Sequence, residues 1–239
     1  MSDRAWRGAS VAPERTHHVR DGTPLYEARF AEVLSFHEPG LAAARDGSGA
    51  FHIRPDGAPA YGRRFRRTFG FYEGRAAVAD GSGWFHLEVE GRDAYPARWT
   101  WCGNFQGNRC TVRDGASFLH VTPDGTPAYA GRWRYAGDFR EGLAVVLDEE
   151  GWHRFIDDGG RSPIPGRFAD LDVFHKGYAR ARDAGGWFHL RRDGEPAYAR
   201  RFAAIEPFYN GQARCETLEG ALVVIDESGH DEELRPAPR

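Results

Sequence analysis

The sequence lacks a long hydrophobic run, and no stretch approaches the roughly 20 apolar residues that a membrane-spanning helix needs. Residues 1–20 also lack the apolar core of a secretory signal peptide. The only cysteines are Cys102, Cys110 and Cys215, an odd number at spacings unlike those of metal sites. We therefore expect a cytoplasmic protein with reduced thiols and no membrane partner.

An excess of charge of one sign is also missing. The 32 basic and 35 acidic side chains give a net charge of −3, so nothing predicts a nucleic-acid partner. No window shows the hydrophobic periodicity of a helix. The sequence has no phosphate-binding glycine loop, no G-x-S-x-G motif and no H-E-x-x-H motif. The sequence therefore contains none of the three motifs of these common enzyme classes.

The sequence does contain a repeated phrase, Asp-Gly-x-Pro-x-Tyr, whose clearest copy is Asp193–Tyr198. Copies begin at positions 21, 56, 90, 124, 158 and 193, so the period is 34 or 35 residues. A fixed period in this range is typical of repeat architectures. The 30 glycines and 14 prolines suit short strands joined by tight turns.

Each repeat divides into four short strand-like segments. In one copy, segment b is Phe51–Arg54, c is Pro59–Phe65, d is Arg67–Tyr72 and a is Gly74–Ala79. Four antiparallel strands repeated radially form the blades of a β-propeller. One position of segment a is small in all six copies, which places a at the crowded axis with b, c and d outside it. Those residues are Ala42, Ala76, Cys110, Ala144, Ala179 and Ala213. The sequence therefore predicts an all-β propeller of six four-stranded blades and about 24 strands.

The two ends of the repeat region are complementary. The first c and d segments, in 24–36, lack a preceding a, and the last a and b segments, in 212–226, lack a following c and d. We predict that both termini complete one blade, because closure removes exposed sheet edges. The predicted divisions are a flexible arm (1–15), the propeller (16–228) and a tail (229–239). The alternative is an open β-solenoid of stacked hairpins.

Phe139–Val146 followed by Gly151–Asp157 resembles the phrase of WG-repeat proteins, in which an aromatic and Gly-Leu-Ala-x-Val precede Trp-Gly and Ile-Asp. The resemblance covers about residues 20–228. The sequence departs from it at Trp84 and Trp187, which are followed by Phe-His. The resemblance implies a binding or scaffolding module with a protein partner, for which a methyltransferase is a candidate.

A histidine holds the same place of segment b in five copies: His18, His52, His86, His120 and His189. Imidazole is a common metal ligand. A residue present in nearly every repeat also serves to build the repeat, for instance by bonding backbone groups. An arginine of segment c recurs likewise, and we expect it to pair with the aspartate that ends segment a. The arginines are Arg29, Arg64, Arg98, Arg132, Arg167 and Arg201.

Function is expected where the copies differ. Segment a holds alanine in early copies and Arg180 or Arg214 in late ones, with Arg182 nearby. Such arginines bind a carboxylate or phosphate, or form internal salt bridges with Glu206 or Glu216. Both interpretations stay open at the level of sequence.

The loop from d to a also differs among copies. Asp172 and Glu206 replace apolar or glycine residues, and His37, His175 and Tyr209 occupy the place three residues further on. Carboxylates and histidines around one channel mouth can hold a divalent transition metal or transfer protons. The last two repeats therefore form the predicted site.

We accordingly expect a binding module that takes a small anionic or zwitterionic ligand or a peptide on the channel face. Its predicted ligand-binding residues are Arg180, Arg182, Arg214, Tyr178 and Tyr209. The alternative is a metal-assisted enzyme at the same mouth. Its predicted catalytic and metal-binding residues are Asp172, His175, Glu206 and His37. A third hypothesis is a protein–protein scaffold.

Overall fold

A computed structural model describes residues 6–231, which form 21 β-strands and no helix. That part of the chain accordingly offers no helix able to cross a membrane. The strands form seven three-stranded antiparallel sheets. The all-β prediction is confirmed. The chain divides into two compact units, Met1–Ala128 and Tyr129–Arg239, each with its own sheets.

The first unit contains four sheets. The first sheet comprises β1 (Ser10–Val11), β2 (His18–Arg20) and β3 (Thr23–Pro24). The second comprises β4 (Glu32–His37), β5 (Leu41–Asp46) and β6 (Gly49–Ile53), and the third comprises β7 (Arg67–Tyr72), β8 (Arg75–Asp80) and β9 (Gly83–Leu87). The fourth comprises β10 (Trp101–Cys102), β11 (Cys110–Asp114) and β12 (Ser117–Val121).

The second unit contains three sheets. The fifth sheet comprises β13 (Tyr135–Ala136), β14 (Ala144–Leu147) and β15 (His153–Ile156). The sixth comprises β16 (Asp170–Leu171), β17 (Tyr178–Asp183) and β18 (Gly186–Arg191), and the seventh comprises β19 (Ala204–Ile205), β20 (Gln212–Glu216) and β21 (Leu222–Asp226).

Segment a does not lie at an inner sheet edge, contrary to the prediction. It is the central strand of the last six sheets, between d on one side and b on the other. In the second sheet, for example, Ala42 is paired with both Phe36 and Ile53. The small residue of segment a makes room for core side chains, as when Ala76 packs with Leu41 and Phe71.

Segment c is not a regular strand in the last six sheets, which is why these have three strands instead of the predicted four. There it touches strand b at isolated bridges, such as those from Ile53 to Pro59 and from Ala50 to Phe65. Its carbonyl groups bond its own arginine: Arg98 donates to the oxygens of Pro96 and Ala97, both at 3.1 Å. These carbonyls thus have a hydrogen-bond partner outside any strand ladder.

The ends of the chain also differ from the prediction. Strand β1 lies within the predicted flexible arm and pairs with β2, although residues 1–5 lie outside the described part. Strands β1–β3 form one three-stranded sheet, and strands β19–β21 form another. In the predicted tail, Asp231 forms an isolated β-bridge with Ile225. Residues 232–239 of the tail lie outside the described residues.

The recurring Asp-Gly-x-Pro-x-Tyr phrase links each repeat to the next. Asp56 accepts a hydrogen bond from the backbone N–H of Ala58 at 2.9 Å, and Gly57 has φ = +81°. A Cβ at Gly57 would lie 2.7 Å from the ring of Tyr26, the tyrosine of the preceding copy. The glycine is therefore required both by its left-handed backbone and by the close approach of an aromatic ring.

Candidate functional site

The repeated histidines are buried and bonded on both sides of the ring. His189 bonds the Tyr198 hydroxyl through Nδ1 at 2.6 Å and the Glu206 carbonyl through Nε2 at 2.9 Å. Because a carbonyl only accepts, Nε2–H donates and Nδ1 accepts from the tyrosine. His18, His52 and His86 make the same two bonds. Each imidazole thus ties one sheet to the d segment of the next.

Burial holds these imidazoles neutral. Desolvation lowers the pKa of His52, His86 and His189 to about 4, because a buried ring is costly to charge. Their side chains are enclosed, and both ring nitrogens already have protein partners. This geometry supports the structural interpretation of these histidines over a ring of metal ligands.

The repeated arginines also build the fold. Arg201 pairs directly with Asp183 at 2.8 Å, which confirms the predicted partner in that repeat. Arg64 instead donates to Ser48 Oγ at 2.9 Å, and that hydroxyl donates to Asp46. The Arg64 guanidinium also lies 3.8 Å from the ring centroid of Phe51. Such stacking adds a cation–π contact to the hydrogen bond.

The first predicted charged pair, Asp172 and Arg180, is an internal cross-strand pair. Arg180 Nε lies 2.6 Å from an Asp172 oxygen, and Nη1 donates to the Ile205 carbonyl at 2.9 Å. Both side chains are partly buried. Arg180 therefore joins the sixth sheet to the seventh, and its charge is already matched.

The second pair, Glu206 and Arg214, occupies the equivalent place one repeat later. Arg214 Nε lies 3.0 Å from a Glu206 oxygen, and the two side chains are 77% and 55% exposed. An exposed pair of this kind is worth only about 0–1 kcal/mol. The ion pair can therefore open, and either side chain can bind a ligand instead, at little cost in free energy.

Four predicted site residues line one cavity of about 770 Å³ in the second unit: His175, Glu206, Tyr209 and Arg214. His175 and Tyr209 stack with ring centroids 6.2 Å apart. A second hollow of about 680 Å³ shares part of that lining and extends along the seventh sheet. Its lining includes Glu216, Leu222 and Asp231. The structure therefore brings part of the predicted site together beside the last sheet.

The other predicted residues lie outside this cavity. Tyr178 donates to Glu227 at 3.3 Å, and the Arg182 guanidinium lies 5.6 Å from the ring centroid of Trp187. His37 belongs to the first unit, where its ring packs at a tilt against Tyr72 with the ring centroids 4.6 Å apart. These contacts occupy the side chains within their own units.

The predicted metal site is not formed by residues 6–231, in which no three His, Cys, Asp or Glu side chains come together as a metal-binding group. The physical reason is that each predicted carboxylate faces a guanidinium: Asp172 faces Arg180, and Glu206 faces Arg214. Of the two carboxylates, Asp172 is held in the partly buried pair, whereas Glu206 is in the exposed one.

The sequence reasoning missed Leu222, the most exposed large apolar side chain described, at 85%. It also missed Val224, which occupies the histidine place of the repeat in the seventh sheet. Val224 lines both hollows. The histidine is replaced in two copies, by Phe155 and by Val224, and its loss at Val224 was the available signal for a surface that differs from the other repeats.

Comparisons with known proteins bear on the fold. No protein-family model and no curated protein matches the chain. A crystal structure of a eukaryotic initiation factor is similar with a TM-score of 0.53 at 11% identity, covering 93% of this chain and 69% of that one. BamB from Moraxella catarrhalis aligns with a TM-score of 0.49 at 11% identity over 89% and 77% of the two chains. The WD40 β-propeller domain of Doa1 gives 0.38 at 12% identity over 90% and 88%. At these identities a similarity concerns the fold alone.

Proposed function

We propose that the chain is a propeller-like binding module whose seventh sheet binds a zwitterionic ligand with an apolar side chain, such as a dipeptide or a peptide end. The observation that carries this proposal is the pattern of strand β20. Its residues alternate between exposed and buried, with Arg214 and Glu216 exposed and Ala213 and Cys215 in the core. The open face of one strand thus presents opposite charges.

The spacing of these charges suits a short peptide. Residues two apart on a strand lie roughly 7 Å apart on one face. Arg214 can bind a carboxylate through its planar fork, and Glu216 can accept from an ammonium group. Leu222 of β21 is paired with Glu216 of β20. An apolar side chain of the ligand would therefore cover Leu222. Because the hollow is open along the sheet, a longer peptide of a protein partner fits the same surface.

The proposal can be tested by nuclear magnetic resonance titration of the labelled protein with dileucine. We expect amide shifts centred on Arg214, Glu216 and Leu222. N-acetyl-dileucine and dileucine amide each lack one charge and should bind at least about tenfold more weakly than dileucine. Dileucine itself should bind the Arg214→Gln and Glu216→Gln variants at least about tenfold more weakly than the natural protein. Arg191→Gln is the matched control, because Arg191 pairs with Asp193 outside the hollow. Shifts elsewhere, or equal binding of the blocked peptides, would contradict the proposal.

A further inference from the structure

A groove of about 450 Å³ lies in the first unit, where the second sheet meets strand β7. Its floor is Ala43, Ala44 and Ala50, all nearly fully buried. One wall carries Glu32, Leu34 and Arg45, and the other carries the run from Arg66 to Phe69. The volume falls within the usual range of small-molecule sites. This groove shares no residue with the hollows of the seventh sheet.

The groove is positively charged although the whole chain carries −3. Arg45, Arg66 and Arg67 line it, and Glu32 is its one acidic residue. Glu32 already pairs with Arg15 at 2.7 Å, whereas Arg45 is 4.0 Å from it. The side chains of Arg66 and Arg67 make no hydrogen bond or ion pair with any residue between 6 and 231.

Two further carboxylates lie in the adjoining shallow hollow, which Arg45 and Arg66 also line. Asp46 accepts from the N–H and hydroxyl of Ser48, and Asp80 accepts likewise from Ser82. Hydrogen bonds from these serines are the largest cause of the lowered pKa of both carboxyls. These acidic groups therefore close their own turns, and among the described residues Arg66 and Arg67 have no paired anion.

An aromatic ring lies beside these arginines. Phe69 lines the groove and is 39% exposed. One face of its ring stacks on Trp84, with centroids 5.7 Å apart and 14° between the planes. Trp84 therefore fixes the orientation of Phe69. A flat group in the groove would contact the exposed part of this ring.

We propose that this groove binds a ligand in which a flat ring carries a phosphate group. The guanidinium groups of Arg66 and Arg67, with Arg45 opposite, supply planar donor sets that match phosphate oxygens. Phe69 supplies the stacking surface for the ring. A phosphate dianion matches the excess of arginine over free carboxylate in the lining. Aryl phosphates and nucleoside monophosphates share this chemistry.

The experiment is calorimetric titration of the full chain at low ionic strength, where charge–charge attraction is least screened. The probes are phenyl phosphate, adenosine monophosphate and inorganic phosphate. We expect phenyl phosphate or adenosine monophosphate to bind about tenfold more tightly than inorganic phosphate, and the tighter of the two identifies the source of the ring. Binding of all three at equal strength would overturn the role of Phe69, and no binding at millimolar concentration would overturn the site.

Two variants separate the contributions. Arg66→Ala with Arg67→Ala should weaken every probe at least about tenfold. Phe69→Ala should reduce phenyl phosphate to the affinity of inorganic phosphate and leave inorganic phosphate unchanged. The matched control is Arg54→Ala with Arg92→Ala, which removes the same charge from turns outside the groove. An equal loss in this control would show a general charge effect and overturn the site. Thermal melting of each variant shows that it is folded.

Discussion

Phe155 stacks on Phe174 with ring centroids 4.7 Å apart and 25° between the planes, as His189 stacks on Phe208 at 3.9 Å and 25°. Phe155 holds the histidine place in the fifth sheet, and Ile164 holds the place of the tyrosine partner. The chain therefore contains both a polar and an apolar version of the same junction. Replacing both partners of a buried hydrogen bond together costs far less than replacing one.

This relationship predicts strong coupling between His189 and Tyr198. His189→Phe alone leaves the Tyr198 hydroxyl and the Glu206 carbonyl unbonded, and Tyr198→Ile alone leaves His189 Nδ1 unbonded. Each single change should lower the free energy of unfolding by about 1–3 kcal/mol. The double variant, which copies the fifth sheet, should be more stable than the sum of the two losses by about 1 kcal/mol or more. Urea unfolding of the four proteins measures this, and simple additivity would contradict it.

The buried histidines also predict how stability depends on pH. His52, His86 and His189 have a pKa of about 4 in the folded chain, against about 6.5 when unfolded. Between these values the unfolded chain binds more protons, so stability falls as the pH drops from about 6.5 towards 4. Carboxyls with a lowered pKa, such as Asp124 at about 2, lose most of their contribution below about pH 4.

The measurement is the urea midpoint at a series of pH values. We expect a steep fall between pH 6.5 and 4 in the natural chain and a shallower one in the variant with both His189→Phe and Tyr198→Ile. A midpoint that stays constant over this window would show that the histidines are not held neutral by the fold.

The turn glycines predict a difference between two positions with the same backbone. Gly74 has φ = +74° and nothing within 4 Å of an added Cβ, whereas Gly91 has φ = +80° and the ring of Tyr61 at 2.6 Å. Gly74→Ala should cost about 1–2 kcal/mol for the left-handed conformation. Gly91→Ala should cost a further 1–3 kcal/mol or so, because the tyrosine must move. Chemical unfolding compares the two, and equal losses would contradict the packing role of the ring.

The repeat period, the strands of segments a, b and d and the role of the Asp-Gly turns were predictable, because the turn residues and the small residue of segment a recur along the sequence. The place of segment a within the sheet was not, because alanine fits a central strand as well as a crowded axis. The irregular backbone of segment c was not predictable either, because the tertiary contacts of Arg98 with Ser82 and Phe85 place the guanidinium where it bonds the carbonyls of its own segment.

The candidate site was predictable only in part, for a similar reason. The departures at Asp172, Arg180, Glu206 and Arg214 are visible in the sequence. Their pairing in register, Asp172 with Arg180 and Glu206 with Arg214, appears only when segments d and a are adjacent strands. The groove of the first unit was not predictable from the sequence. It depends on which arginines lack a partner, and the packing of the folded chain determines which arginines are paired.

The two arginines that replace alanine should behave differently when each is returned to alanine. Arg180→Ala removes a partly buried pair with Asp172 and the bond to the Ile205 carbonyl, so it should cost about 1.5–3 kcal/mol. Arg214→Ala removes an exposed pair and should change stability by no more than about 0.5–1 kcal/mol. Dileucine binding should show the reverse order, with Arg214→Ala abolishing it and Arg180→Ala, while folded, retaining it within about threefold. Urea unfolding and the resonance titration on the same two proteins supply both readouts. A loss of stability in Arg214→Ala as large as in Arg180→Ala would make both pairs structural, and a loss of binding confined to Arg180→Ala would move the site to the sixth sheet.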